Sequence, residues 1–275
     1  MEVSFSKFNY EKSRYRMNSI LNDESEEVIE KESKFPSESI LTFNNIITSM
    51  IDVIAIDIRN STELSEALAQ NNIRMLTKIY RVYISEVIAV LKGNPDIERV
   101  YIEGDGIWAV FKKDNDTARV FDTATQVSAI IKTLNVKLRE KSYPFIEVGI
   151  GIERGKTFYA KAGYKGSGIN SEVWVGNIVN KVFKLCSKAN KGKIKEIVVS
   201  EKVYIRLERQ QQKNLKKDKK ENIFHTDAIS EQMYHKWLKY NKSSYLSCKT
   251  TKKNYCYIPT EENKIRKWYK LWLGY

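Results

Sequence analysis

The chain has 275 residues, a net charge of +13, 42% hydrophobic and 29% charged residues. This is the composition of a globular protein with a sizeable core, and it excludes a disordered or collagenous chain. Apolar stretches fall well short of a membrane span and Met1 opens no signal-peptide pattern, so a cytoplasmic protein is expected. Three Cys and two His leave neither a disulfide frame nor a His-rich metal site, and the positive balance calls for an anionic partner: nucleotide phosphates, nucleic acid or an acidic protein surface.

Residues 1–47 are polar, with an acidic cluster at "NDESEEVIEKES", and read as an extension. From 48 to 207 the apolar pattern is strong enough for one domain. "IDVIAIDI" (51–58) predicts a buried strand. Helical spacing over 63–93 predicts one long helix, capped by Ser61-Thr62 and stopped at Gly93. "VYIEGDGIWAVF" (100–111) predicts a hairpin. A helix over 117–140, strands over 145–155 and 156–164, a helix over 176–190 and a strand over 195–204 leading into a short helix follow. The order β-α-β-β-α-β is that of a split βαβ unit, an α+β fold with an antiparallel-containing sheet and helices on one side.

Beyond 207, "RLERQQQKNLKKDKK" (206–220) is a basic run without aromatics. A solvated helix or connector fits it better than a nucleic-acid patch, since single-stranded bases would have nothing to stack on. "SYLSCKTTKKNYCYIP" predicts two short strands and "ENKIRKWYKLWLGY" an aromatic closing helix.

The residues with chemistry to explain are acids in apolar surroundings. Asp57 sits where a buried strand favours an apolar side chain, and a buried acid needs a metal, a cation or hydrogen bonds. Asp105 sits at the tip of the hairpin, between Gly104 and Gly106. In a split βαβ sheet the first strand lies beside the central hairpin, so the two acids converge. Paired carboxylates without His or Cys suit Mg²⁺ or Mn²⁺. Read singly, Asp57 also fits a loop cap and Asp105 a turn residue. The loop Arg59, Asn60, Ser61, Thr62 offers backbone N–H groups and a helix opening to triphosphate oxygens, and it fits a plain N-cap equally well. On the third helix Asn177, Asn180 and Lys184 share one face, with Val179, Val182, Phe183 and Cys186 toward the core; Asn180 alone also fits a solvent-facing polar residue.

"AIDIRNST", "YIEGDGIWAVF", "GIGIERG" and "VWVGNIVNKVFKL" together resemble, in order and spacing, the core motifs of class III nucleotidyl cyclases, over residues 50–205. The resemblance implies a cyclase homology domain at 48–207, flanked by extensions at 1–47 and 208–275. It implies conversion of a nucleoside triphosphate to a 3′,5′-cyclic monophosphate and pyrophosphate, with two divalent ions held by Asp57, Asp105 and the Ile58 carbonyl. Asn180 matches the ribose-orienting asparagine. Lys184 stands where the family has a transition-state arginine, a departure that leaves a point charge without a bidentate fork, with Arg59 as a cation able to share that task. The family works as a head-to-tail homodimer, which implies that Asp57 and Asp105 face Asn180 and Lys184 of a second copy.

Base choice is where the chain departs most from purine-using relatives. Tyr101 replaces their Lys or Glu, and Val173 replaces an Asp or small polar residue. A bulky Tyr101 suits a one-ring base, and this resembles the pyrimidine cyclases of the Pycsar anti-phage system, implying UTP or CTP as substrate. Offset parity places Tyr101 on the strand face of Asp105; an ordinary strand aromatic is the plain alternative. Within the class the alternative is an adenylate or guanylate cyclase with a drifted base pocket. Outside it, the alternatives are a catalytically dead nucleotide-binding module and, on charge alone, a nucleic-acid binder.

Overall fold

The computed structural model describes residues 7–30, 40–70, 72–112 and 116–227. The two short strands and closing helix expected near the C-terminus lie outside the described residues. Helix α1 (Tyr10–Leu21) and strand β1 (Glu27–Glu30) precede the long strand β2 (Asn45–Ile58). Helices α2 (Ser61–Ala69) and α3 (Ile73–Lys92), strands β3 (Ile97–Glu103) and β4 (Gly106–Phe111), helix α4 (Thr117–Glu140) and strand β5 (Val148–Tyr164) complete the central unit. Strand β6 (Ile169–Val175), helix α5 (Asn177–Lys188), strand β7 (Ile197–Val199), helices α6 (Glu201–Tyr204) and α7 (Arg209–Lys213) and strands β8 (Lys216–Asp218) and β9 (Ile223–Thr226) follow.

One sheet collects the strands in the order β3-β4-β2-β5-β7-β9-β8, with β1 added to β2 and β6 to β5. Its part β3-β4-β2-β5 is the split βαβ arrangement expected from the sequence, and β2 lies antiparallel to β4 as that arrangement requires. β2 begins before residue 48, with β1 of the acidic segment parallel to it, and the sheet runs on past 207 through β8 and β9. The basic run is therefore not a loose connector along its whole length: Gln211 is buried and donates to Ala118 O at 3.0 Å and Asp122 Oδ1 at 2.8 Å.

The helices are not confined to one side of the sheet. Ile54, Ile56 and Ile58 of β2 pack with Ile79, Tyr83 and Val87 of α3 and with Val120, Phe121 and Val127 of α4. Ile51, Val53 and Ala55, the alternate residues of the same strand, pack with Ile178, Val182 and Cys186 of α5 on the other face. β2 is covered on both faces, which is why it reads as a continuous apolar run.

Two other expectations are corrected. The helix expected over 63–93 is two helices; Asn72 opens α3, its side chain accepting from Met75 N at 3.1 Å, and an Asn so placed competes with helix continuation. The two strands expected over 145–164 are one. β5 pairs with β2 without a break from Ile46↔Ala160 to Ile58↔Val148, and that ladder outweighs the local weakness at Gly155.

Candidate active site

β2 delivers Asp57 on the α5 face, two residues beyond Ala55. The turn after β3 brings Asp105 to the same end of the sheet, where Gly104 takes φ of 66° so that the chain can double back into β4. The two carboxyl groups adjoin. Burial first, and the charge of Asp105 second, push the Asp57 carboxyl up to about 6 against the pull of Arg59. Asp105 Oδ2 is buried and no hydrogen bond from the described residues reaches it. A carboxylate oxygen in that condition, beside a second carboxyl, is what a divalent cation relieves. The donor set of hard oxygens fits Mg²⁺ or Mn²⁺. Cys186, the one thiol nearby among the described residues, is turned away: it donates to Gly149 O at 3.2 Å and burial pushes it up to about 12, so it is not a thiolate ligand.

Arg59 does not lie open to the loop. Its guanidinium is buried under Asp57, with Nη2 3.2 Å from Asp57 Oδ2, 3.3 Å from Asp57 O and 3.5 Å from Cys186 Sγ. It is tied to Asp57 rather than reaching Lys184. The space it fills belongs to Gly149, which opposes Asp57 across the ladder; a Cβ there would meet the guanidinium at 2.6 Å. Gly151, one pleat earlier, lets α5 approach, since a Cβ there would lie 2.5 Å from Cys186 N. Both glycines of "GIG" thus shape the site, one for a side chain and one for a helix.

The expected Ser61-Thr62 cap is replaced by Asn60, which takes φ of 55° and makes no side-chain cap bond. Ser61 and Thr62 are inside the first turn of α2, whose opening amides carry no side-chain cap. Ile58 is buried beside them at the end of β2. α5 turns Ile178, Val182 and Cys186 to the sheet and leaves Asn177, Asn180 and Lys184 exposed. Within one chain the fold does not bring those three to Asp57 and Asp105.

After α5, Asn190 takes φ of 55° and donates through Nδ2 to Val148 O at 3.4 Å. That bond pins the following loop beside the start of β5, and Lys191 in it is close enough for its charge to act on Asp57. Two nearby lysines are engaged elsewhere, Lys188 with Glu221 at 2.6 Å and Lys195 with Asp227 at 2.9 Å. Lys191 was not singled out from the sequence, and the "GIG" glycines entered only within the "GIGIERG" motif, with no role of their own. Periodicity carries no signal for either.

Tyr101 is reached by register rather than by the parity argument, because β3 ends at Glu103 and Asp105 belongs to the turn. Tyr101 opposes Trp108, Trp108 opposes Ala55, and Ala55 is two residues from Asp57; all lie on the α5 face. The Tyr101 ring stacks on Trp108 with centroids 4.1 Å apart. Its hydroxyl donates to Glu172 Oε2 at 3.0 Å and accepts from Trp174 Nε1 at 2.8 Å. Burial raises the phenol above its ordinary value. Glu172 and Trp174 are the β6 residues on either side of Val173, so Val173 points to the other face of β6 and the structure does not bring it to Tyr101. Glu172 and Trp174 were missed because β6 was not recognised as a strand.

A split βαβ sheet with paired aspartates at the end of its first strand and central hairpin defines a nucleotidyl cyclase catalytic domain. The adenylate and guanylate cyclase catalytic domain family matches residues 46–235. The chain is 34% identical over 200 residues to a uridylate cyclase of Treponema porcinum, covering 72% of this chain and 68% of that protein. It is 34% identical over 212 residues to a uridylate cyclase of Gulbenkiania mobilis, covering 74% and 81%. Among solved structures it resembles a class III adenylyl cyclase-like ATP-binding protein from Pseudomonas aeruginosa, with a TM-score of 0.63 at 14% identity over 82% of this chain and 48% of that one. It also resembles the guanylyl cyclase Cya2, with a TM-score of 0.54 at 18% identity over 67% and 94%. The chain belongs to the class III nucleotidyl cyclase family, and it is a phosphorus–oxygen lyase.

Proposed function

We propose that this protein cyclises a pyrimidine nucleoside triphosphate, UTP ahead of CTP, to its 3′,5′-cyclic monophosphate. The 3′-oxygen forms a bond to the α-phosphorus, the bond from that phosphorus to the bridging oxygen breaks, the hydroxyl proton passes to solvent and pyrophosphate leaves. The observation that carries the base choice is Tyr101 stacked on Trp108, two residues along the sheet face from the Asp57 row. That stack fills space a two-ring base needs, and the names of the curated relatives point the same way.

Asp57 and Asp105, with the Ile58 carbonyl, would hold two divalent ions, Mg²⁺ or Mn²⁺, which would supply charge neutralisation at the phosphates and a more nucleophilic 3′-oxygen. Arg59 keeps Asp57 oriented from below. The first-turn amides of α2, from Asn60 through Ser61 and Thr62, and the charge of Lys191 receive phosphate oxygens. Asn177, Asn180 and Lys184, exposed on α5, come to this site from a second copy in a head-to-tail homodimer, Asn180 orienting the ribose and Lys184 facing the α-phosphate. On the resemblance to the Pycsar cyclases, the product is a second messenger in cytoplasmic anti-phage defence.

The test is turnover of ATP, GTP, CTP and UTP, each with Mn²⁺, with products identified by mass. Cyclic UMP or cyclic CMP as the main product supports the reading. A clear preference for ATP or GTP overturns it in favour of a purine cyclase with a drifted pocket.

A further inference from the structure

The loop between α5 and β7 is bonded to the strand end that carries Asp57. Within it Ile194 N donates to Lys191 O at 3.0 Å and Asn190 N to Lys195 O at 3.0 Å, which closes the turn. Asn190 Nδ2 donates to Val148 O at 3.4 Å, and Val148 opposes Ile58 in the β2–β5 ladder. A displacement of Lys195 therefore reaches the start of β5 through two hydrogen bonds, and it carries Lys191 with it.

The β8–β9 hairpin holds this loop by three ties. Two are ion pairs, Lys188 of α5 with Glu221 and Lys195 with Asp227. Their side chains are 37% to 57% exposed, and pairs so wetted contribute little. The third tie is buried. His225 of β9 is 7% exposed and opposes Val198 of β7. Its Nδ1 accepts from Lys195 N at 3.2 Å.

That bond fixes the state of the ring. An imidazole nitrogen accepts only when it carries no proton, so His225 is neutral with its proton on Nε2. Protonation sets an N–H against the Lys195 N–H and breaks the bond. The surroundings favour the neutral ring. Burial first, then the charges of Lys195 and Lys216, hold the imidazole below its ordinary value against the opposing charges of Asp218 and Asp227. Lys188, on the helix packed beside it, is paired with Glu221.

We propose that His225 is a positioning residue for the triphosphate site: its neutral Nδ1 clasps the α5–β7 loop, keeps Lys191 and the start of β5 in place, and releases them when the ring takes up a proton. The inference rests on the reading that this end of the sheet receives a triphosphate, and it is independent of which base the enzyme accepts.

The experiment compares the full chain with His225→Asn and His225→Leu across the range in which histidine titrates, about pH 5.5 to 8. Asparagine places an amide oxygen where Nδ1 stands and has no proton to gain. Leucine has no acceptor. The readouts are exchange protection of the Lys195 amide and KM for the triphosphate with Mn²⁺. Asp57, pushed up to about 6, gives all three proteins a common acid limb, so the differences between them are what counts. At the alkaline end wild type and His225→Asn are expected to agree. His225→Leu is expected to lose protection at Lys195 and to show a KM about two- to tenfold higher, the worth of one hydrogen bond. Toward the acid end wild type is expected to move to the His225→Leu values, with a midpoint below the ordinary histidine value of about 6.5, while His225→Asn stays. A His225→Leu protein with unchanged KM overturns the proposal, as does a His225→Asn protein that follows wild type into acid. If His225→Leu does not fold, the comparison of wild type with His225→Asn decides alone. A wild type that turns over no triphosphate sinks the reading of the site and the positioning role with it. The expected pattern in an enzyme that prefers ATP leaves the clasp standing and removes only the pyrimidine reading.

Discussion

Gly149 makes room for Arg59: the missing side chain at 149 is the space in which the guanidinium lies, 2.6 Å from where a Cβ would stand. Gly151, one pleat away, stands against backbone instead, with Cys186 N at 2.5 Å and Val182 O at 2.6 Å. The contrast separates two effects of alanine. At Gly151 the obstacle cannot swing aside, so Gly151→Ala is expected to lower stability by about 1–3 kcal/mol through overpacking. At Gly149 the obstacle is the end of a flexible side chain, so Gly149→Ala is expected to fold, displace Arg59 and lower kcat. Unfolding curves and turnover of the two variants check this; equal stability loss in both means that Arg59 cannot move.

The aspartate pair sets opposite signs for stability and activity. Asp57→Asn removes a carboxyl that is held up by burial and by the charge of Asp105. Relief of that repulsion offsets the loss of the Arg59 ion pair, and the fold is expected to persist. A neutral amide holds a divalent cation poorly in a phosphate field, so turnover is expected to fall by several kcal/mol in barrier, on the order of a thousandfold. Asp105→Asn is expected to do the same. A folded variant of either kind with near-native turnover refutes the metal assignment.

Lys191 is expected to act on substrate binding more than on the chemical step. It is exposed, its charge is felt at Asp57, and Lys188 and Lys195 are engaged with Glu221 and Asp227. Removing one partly solvated charge contact is worth up to about 1 kcal/mol, or roughly fivefold. Lys191→Gln is thus expected to raise KM for the triphosphate about that much with kcat little changed, and added salt is expected to shrink the difference. A fall in kcat at constant KM is the opposite outcome and places Lys191 in the transition state.

The exposed face of α5 makes the dimer testable. Asp57→Asn protein and Asn180→Ala protein, each inactive alone, are expected to regain activity on mixing. In a head-to-tail heterodimer one site carries both lesions and the other neither. Background activity after proven subunit exchange means that each site is built from one chain.

The sequence announced some of this site and hid the rest, for physical reasons. Asp57 and Asp105 were legible because an acid inside an apolar run contradicts burial, and strand order alone brings them together. The hidden parts depend on register. Glu172, Trp174 and Tyr101 meet only because β6 pairs with β5, with Trp174 opposite Tyr159, and no local pattern encodes that partner. The division of the 63–93 segment was hidden because the apolar period continues across Asn72, where a single capping side chain ends one helix and starts the next.

Tyr101 carries two properties that substitution can take apart. Its hydroxyl belongs to the protein: it donates to Glu172 and accepts from Trp174. Its ring is stacked on Trp108 and is the part proposed to limit the base. Tyr101→Phe leaves the ring and strips Glu172 and Trp174 of a partner, which costs about 1–3 kcal/mol for buried groups left unmade. Stability is therefore expected to fall while the order of preference among the four triphosphates stays as in wild type. Tyr101→Ala removes the ring as well. It opens the space a second ring needs and loosens the fit of the first, and a misplacement of about an ångström costs on the order of a hundredfold in rate. Pyrimidine turnover is expected to drop and its lead over ATP and GTP to narrow. Competition assays with all four triphosphates, run on both variants beside their unfolding curves, decide the point. If Tyr101→Phe alone inverts the preference, the hydroxyl reads the base; if Tyr101→Ala leaves the preference untouched, the ring is only part of the strand packing.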